Sequence, residues 1–194
     1  IALHYTNDFE CLVAVMLSAQ CTDERVNKVT EKLFKKYRTL DDYASASRKE
    51  MEQDVYQTGF FRNKAKNVIA AAKKVRDELG GELPRTLEEM VTIPGAARKT
   101  ANVVLSSLYG IHEGIAVDTH VRRFAMRFDL SDHTDPIRIE RDLMSIMPQD
   151  MWWGFNHRLV NYGRDYCKAH KHDCVEHPLT PVYPKANTVW PKAR

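Results

Sequence analysis

The sequence lacks a hydrophobic run long enough to cross a membrane. Its longest uncharged apolar run, around Leu12 to Leu17, is far shorter than the roughly 20 residues that a transmembrane helix needs. Cysteines are also scarce, with four in 194 residues: Cys11, Cys21, Cys167 and Cys174. They are too few and too unevenly spaced for a disulfide scaffold. These absences exclude a helical membrane protein and a disulfide-rich secreted domain, and they favour an intracellular compartment.

A large excess of charge of one sign is missing as well. The 29 basic and 26 acidic residues give a formal net charge of +3, which does not identify a partner. The distribution of charge is more informative, because positions 62 to 76 hold six basic residues and no acidic one. These residues are Arg62, Lys64, Lys66, Lys73, Lys74 and Arg76. We predict that this basic stripe faces an anionic partner, with an ordinary solvated helix face as the alternative.

No stretch alternates polar and apolar residues for long enough to predict a β-strand. Apolar residues instead recur at helical spacing along most of the chain, which predicts an all-α fold. Capping signals predict helix starts at Asn7 or Asp8, Thr22, Ser47 (with Glu50), Thr86 (with Glu89), Asp118 and Asp135. After Cys167 the helical period is lost, and four prolines predict an irregular tail.

Two short helices are predicted over residues 86–108, joined by a turn from Ile93 to Ala97 that contains Pro94 and Gly95. The first N–H groups of the second helix are exposed at such a turn and can bind a phosphate. Arg98 and Lys99 lie at the same helix end, so a nucleic-acid backbone is the predicted anion. A plain structural hairpin is the alternative.

The segment from Ile93 to Ala101 resembles the helix-hairpin-helix motif of the endonuclease III family of DNA base-excision glycosylases. Val117 to His120 resembles the segment that holds the catalytic aspartate of this family. Leu17 to Asp23 is similar to the segment that inserts a glutamine into the duplex. Gly163 to Cys174 is similar to the first half of the family's iron–sulfur loop. These motifs follow one another in the family's order.

The resemblance implies a two-lobed helix-hairpin-helix glycosylase fold with the active site between the lobes. We expect one helical lobe over residues 1–111 and a second over residues 112–194, which includes the irregular tail. It also implies that Lys99 is the amine that forms a Schiff base with the sugar and that Asp118 is the carboxylate that supports the reacting sugar. The alternatives are a phosphate contact for Lys99 and a helix cap for Asp118.

Family members that only remove the base tend to lack this lysine, so Lys99 favours a bifunctional glycosylase and AP (abasic-site) lyase that acts by β-elimination. We expect a monomer that acts in a prokaryotic cytoplasm on double-stranded DNA with a damaged base or an abasic site. The expected damaged base is an oxidised pyrimidine. Two alternatives stay open, namely a non-catalytic DNA-binding module and a mismatch or purine glycosylase on the same scaffold.

The resemblance further implies a set of DNA-binding residues. They are Gln20, Phe60, Gly95, Ala97, Arg98, Thr100 and His120. Gln20 is expected to fill the space left by the flipped base, and Phe60 to wedge the opposite strand, with a core aromatic as the alternative for Phe60. Ala97 stands where the family usually has a second glycine.

The iron–sulfur loop departs from the family pattern of four cysteines. Cys167 and Cys174 keep the first spacing, but the third position is His177 and the fourth is Tyr183. Because a four-iron cluster normally needs four thiolates, we predict that the cluster is absent and that no cofactor is bound. A zinc ion is the alternative, held by some of Cys167, His170, His172, Cys174 and His177. Without a metal, the tail would be held by Val182, Tyr183, Val189 and Trp190.

Overall fold

The structure is a computed structural model of the 194-residue chain and describes residues 3–170, 172 and 177–183. Every regular element in these residues is helical, so the predicted all-α fold is confirmed. The α-helices are α1 Asp8–Ser18, α2 Asp23–Lys36, α3 Leu40–Ala44, α4 Arg48–Asp54, α5 Phe61–Glu78, α6 Leu87–Met90, α7 Arg98–Tyr109, α8 Thr119–Arg127, α9 Pro136–Ile146 and α10 Gln149–Asp165. A short 3₁₀ turn, Tyr56–Thr58, lies between α4 and α5.

The chain divides into two compact units, Ile1–Glu113 and Gly114–Arg194. The boundary predicted from sequence, after residue 111, lies two residues earlier than this division. None of the helices in the described residues is long and apolar enough to span a membrane.

The first unit is built around α1, in which every residue from Phe9 to Leu17 is buried. This helix contains the longest apolar run of the sequence, and it packs against α2, α5 and α7. Burial on all sides explains why the run shows little amphipathic character. The longest hydrophobic segment therefore forms the centre of the core on which the hairpin helix α7 rests.

The second unit packs α8 against α9 and α10. Its core contains Phe124, Ile139 and Leu143, which have no exposed surface. Of the residues predicted to hold the tail, Tyr183 packs edge-to-face on Phe128, with 5.7 Å between ring centroids. The prediction for Val182 is wrong, because this side chain is 83% exposed. Val189 and Trp190 lie outside the described residues.

The side-chain caps explain where most of the helices begin. Five of the predicted cap side chains accept a hydrogen bond from a first-turn N–H group: Asn7, Thr22, Thr86, Asp118 and Asp135. The capping box predicted at Ser47 is wrong, because its side chain makes no cap hydrogen bond. A capping box is instead formed by Thr39 and Asp42 before α3. This helix of five residues is too short for a periodic pattern to reveal it.

Candidate functional site

The hairpin predicted over residues 86–108 consists of α6, a tight turn and α7. Gly95 in the turn has φ +85°, a left-handed backbone conformation that residues with a Cβ atom rarely adopt. A Cβ atom at this position would lie 2.5 Å from Cε of Met16 and 2.8 Å from Cβ of Asn67. Glycine is therefore required here both by the backbone conformation and by the close packing of the turn on α1 and α5.

Helix α7 begins without a side-chain cap. Its N-cap residue, Ala97, is extended and exposed, so the methyl group that replaces a glycine hydrogen lies on the surface. Lys99 is exposed in the first turn, and Arg98 and Thr100 are half-buried beside it. This helix end combines the positive end of a helix dipole with two basic side chains, an arrangement that suits a phosphate group.

Gln20, Phe60 and Gly95 line one cavity of about 220 Å³ in the first unit. Gln20 follows the end of α1 and has φ +56°, and Phe60 precedes α5 and has φ +48°. Such values are uncommon for residues other than glycine and often mark functional positions. The Phe60 side chain is 64% exposed, so the alternative of a core aromatic is wrong. The two residues expected to enter the duplex thus lie on the same surface as the hairpin turn.

Lys64 holds the two segments that carry Gln20 and Phe60. Its Nζ donates hydrogen bonds to the carbonyl oxygens of Leu17 at 2.9 Å, Ala19 at 2.8 Å and Thr58 at 2.7 Å. These three bonds use all three N–H donors of the ammonium group. Burial lowers the pKa of Lys64. Sequence reasoning placed Lys64 in the basic stripe, and this is wrong, because the side chain is buried.

Two further residues of the basic stripe are engaged with carboxylates. Arg76 forms ion pairs with Asp77 and Asp41, and Lys74 forms one with Glu78. The exposed basic side chains that remain are Arg62, Lys66 and Lys73. The stripe that can face an anion is therefore about half as large as the sequence indicates.

Asp118 caps α8 in the second unit, as predicted. Its Oδ1 accepts hydrogen bonds from the N–H groups of His120 at 2.8 Å and Val121 at 2.9 Å. The His120 ring lies against Gly163 of α10, where an added Cβ atom would clash with its Nδ1. Gly163 thus makes room for His120. The sequence showed this glycine only as part of the loop motif, with no sign of this packing role.

Comparisons with known proteins agree with this architecture. Residues 13–149 match the family described as "HhH-GPD superfamily base excision DNA repair protein". The chain is 50% identical over 185 residues to endonuclease III of Synechocystis sp., and this match covers 95% of this chain and 84% of that protein. It is 45% identical over 178 residues to endonuclease III of Bacillus subtilis, covering 91% and 81% of the two chains. The chain belongs to the endonuclease III family.

Solved structures give the same result. A structure described as a trapped endonuclease III–DNA covalent intermediate has a TM-score of 0.86 and 42% identity, and the match covers 96% of this chain and 87% of that one. A thermostable thymine-DNA glycosylase has a TM-score of 0.76 at 19% identity, a likeness of fold alone. As a member of this family, the protein is a bifunctional DNA glycosylase and AP lyase of base-excision repair.

The residues that the structure describes do not fit the four-cysteine iron–sulfur pattern of the family. In the described residues Cys167 is the one thiol of the pattern, and Cys174 lies outside them. The third position, His177, accepts or donates a hydrogen bond through Nδ1 with the Tyr162 hydroxyl at 3.2 Å. At the fourth position the Tyr183 hydroxyl donates to Oδ2 of Asp129 at 2.7 Å. Tyr183 therefore offers a hydroxyl bound to Asp129 at the position where the family pattern has a cysteine ligand.

Proposed function

We propose that this protein removes oxidised pyrimidines from double-stranded DNA and cleaves the strand at the resulting abasic site, without an iron–sulfur cluster. It would act as a monomer in the cytoplasm of a prokaryote. The observation that carries the proposal is the exposed Lys99 in the first turn of α7, at a helix end that no side chain caps. This geometry presents an amine at a site suited to a DNA backbone.

In the proposed reaction, Nζ of Lys99 attacks C1′ of the damaged nucleotide as the bond between C1′ and the base breaks. The base leaves with a proton, and the opened sugar forms an imine with the lysine. Loss of a proton from C2′ then breaks the C3′–O bond, and water releases the lysine. Asp118 supports the positive charge that develops on the sugar. Since Oδ1 accepts both cap hydrogen bonds, we assign this role to Oδ2.

DNA binding is assigned to the surface around the hairpin and to His120. The hairpin residues Gly95, Ala97, Arg98 and Thr100 would contact the phosphates, as uncapped helix ends do. Gln20 would occupy the space of the flipped base, and Phe60 would separate the bases of the opposite strand. The shared cavity and the left-handed backbones of these two residues support this assignment.

The proposal is tested with duplexes that carry either an oxidised pyrimidine, an oxidised purine, a mismatched thymine or an abasic site. We expect excision of the oxidised pyrimidine and, on borohydride reduction, a covalent complex with the abasic-site duplex. Excision confined to the mismatch or the purine would contradict the proposed base class. Binding without excision or trapping would indicate a non-catalytic DNA-binding module.

We predict that Lys64→Met lowers the affinity for an abasic-site duplex by about tenfold or more. Methionine has a similar length but leaves the buried carbonyl groups of Leu17 and Thr58 without their donor, and each such loss costs about 1–3 kcal/mol. The segments that carry Gln20 and Phe60 should relax as a result. The measurement is a binding titration on duplex DNA, alongside trapping on a single-stranded abasic oligonucleotide, which needs no insertion into a duplex.

The control for Lys64→Met is Lys66→Met, which removes an exposed lysine of the same helix. This control should lower the affinity for all duplexes equally. Lys64→Met should lower mainly the affinity for the abasic-site duplex and should leave trapping on the single strand unchanged. If a folded Lys64→Met protein binds the abasic-site duplex as tightly as the unmodified protein, Lys64 does not position these segments.

Binding to undamaged duplex should depend on salt, although less steeply than six basic residues would suggest. Arg62, Lys66, Lys73 and the hairpin remain as candidate phosphate contacts, so we expect a log–log slope with a magnitude of about 3 to 4. Replacing Arg62, Lys66 and Lys73 with glutamine should reduce this slope, and Lys74→Gln should change it little. A slope unaffected by the triple replacement would show that this face does not contact DNA.

A further inference from the structure

Three potential metal ligands come together where α10 ends. Sγ of Cys167 and one ring nitrogen each of His172 and His177 all lie within 4.8 Å of one another. Zinc binds sulfur at about 2.3 Å and nitrogen at about 2.0–2.1 Å, so ligand atoms around one ion are roughly 3.3–3.8 Å apart. Shifts of about 1 Å would therefore bring these three atoms into a coordination sphere.

Both imidazole rings are oriented by a second group, as metal-bound histidines usually are. Nδ1 of His177 is hydrogen-bonded to the Tyr162 hydroxyl at 3.2 Å. Nδ1 of His172 is hydrogen-bonded to the carbonyl oxygen of His170 at 2.7 Å. With Nδ1 engaged in each ring, we assign Nε2 as the ligand atom. The rings stack with 5.4 Å between centroids and 22° between planes.

The thiol is held in place by the core of the second unit. Cys167 has no exposed surface, and its carbonyl oxygen accepts a hydrogen bond from Nη2 of Arg123 at 2.8 Å. A buried cysteine sulfur with two imidazoles is a soft, nitrogen-rich ligand set, which selects zinc over magnesium or calcium.

We propose that Cys167, His172 and His177 bind one zinc ion, which joins the segment after α10 to the core of the second unit. A water molecule would complete the tetrahedral coordination. The proposal keeps the prediction that the cluster is absent but replaces the prediction of an empty loop. It does not depend on Cys174, which lies outside the described residues, and it does not depend on the proposed reaction.

The test is metal analysis of the whole chain, expressed in medium that contains both iron and zinc. We expect close to one zinc per chain, with no iron and no acid-labile sulfide. Replacement of zinc by cobalt(II) should give the intense visible bands of a four-coordinate site and a thiolate-to-cobalt charge-transfer band. Cys167→Ser should remove the charge-transfer band, and His172→Ala should lower the zinc content at least several-fold.

His157→Ala serves as the matched control, because His157 is an exposed histidine of α10 outside the cluster. It should retain the zinc and the cobalt spectrum. His172→Ala is the decisive variant if Cys167→Ser fails to fold, since His172 is only partly buried. Protein without stoichiometric zinc, protein with iron and sulfide, or zinc that persists in both His172→Ala and His177→Ala would overturn the proposal.

Discussion

Replacement of Lys99 by alanine is expected to abolish both borohydride trapping and strand cleavage on an abasic-site duplex. The amine supplies the bond to C1′, and no other group in the first turn of α7 offers a primary amine. Duplex affinity should fall by at most about tenfold, or about 1.4 kcal/mol, because uncapped N–H groups and Arg98 remain at the same helix end. Trapping gels and binding titrations on the same duplex measure the two effects.

Lys99→Arg separates the two roles that Lys99 can have. Arginine keeps the positive charge and a phosphate contact, but its guanidinium does not form a Schiff base. We expect this variant to bind duplex DNA nearly as well as the unmodified protein and to give no trapped complex. Trapping that persists in Lys99→Ala would mean that another amine is the nucleophile, which contradicts the central role assigned to Lys99.

Local signals in the sequence predicted most of the fold. Apolar residues at helical spacing identified the longer helices, and short polar side chains such as Asn7 and Thr22 marked their starts, because these caps act within one turn. The same local rule failed at Ser47, where serine and Glu50 have the right spacing but no cap bond forms. A spacing rule says which bonds can form, whereas the packing of the chain decides which of them do.

The buried position of Lys64 shows what charge patterning misses. Lys64 lies four residues before Val68 and eleven before Val75, so it falls on the apolar face of α5 and not on its charged face. This spacing was visible in the sequence. Two of its acceptors were not, because the carbonyl groups of Leu17 and Ala19 come from a segment more than 40 residues away. The sequence therefore shows which face of α5 a residue lies on, but it does not show which distant carbonyl groups that residue contacts.

In the candidate site, too, the sequence indicates the roles of single residues but not which residues lie together. The roles of Lys99, Asp118 and Gln20 were inferred from motifs, since their neighbours along the chain resemble the family segments. The grouping of Gln20, Phe60 and Gly95 around one cavity required the fold, because three separate segments contribute to it. That one ring nitrogen each of His172 and His177 lies within 4.8 Å of Sγ of Cys167 likewise required the fold. Motifs identify the chemistry, and packing identifies which residues share a surface.

Asp118 combines a structural and a proposed catalytic role in one carboxylate. Its Oδ1 accepts the two hydrogen bonds that cap α8, from the N–H groups of His120 and Val121. Asparagine keeps an oxygen at this position and caps helices about as well as aspartate. Alanine removes the cap altogether, at a cost of about 0.5–2 kcal/mol. The two replacements therefore distinguish loss of charge from loss of the cap.

We expect Asp118→Asn to fold with nearly unchanged thermal stability and yet to lose most of its turnover, by about 10²-fold or more. The neutral amide keeps the cap but does not offset positive charge on the sugar in the transition state. Asp118→Ala should lose a similar share of turnover and also melt at a lower temperature. Single-turnover excision and thermal unfolding of both variants measure these effects. Near-normal excision by Asp118→Asn would leave the aspartate with the helix cap as its role, and the charge on the sugar would then have to be supported by another group.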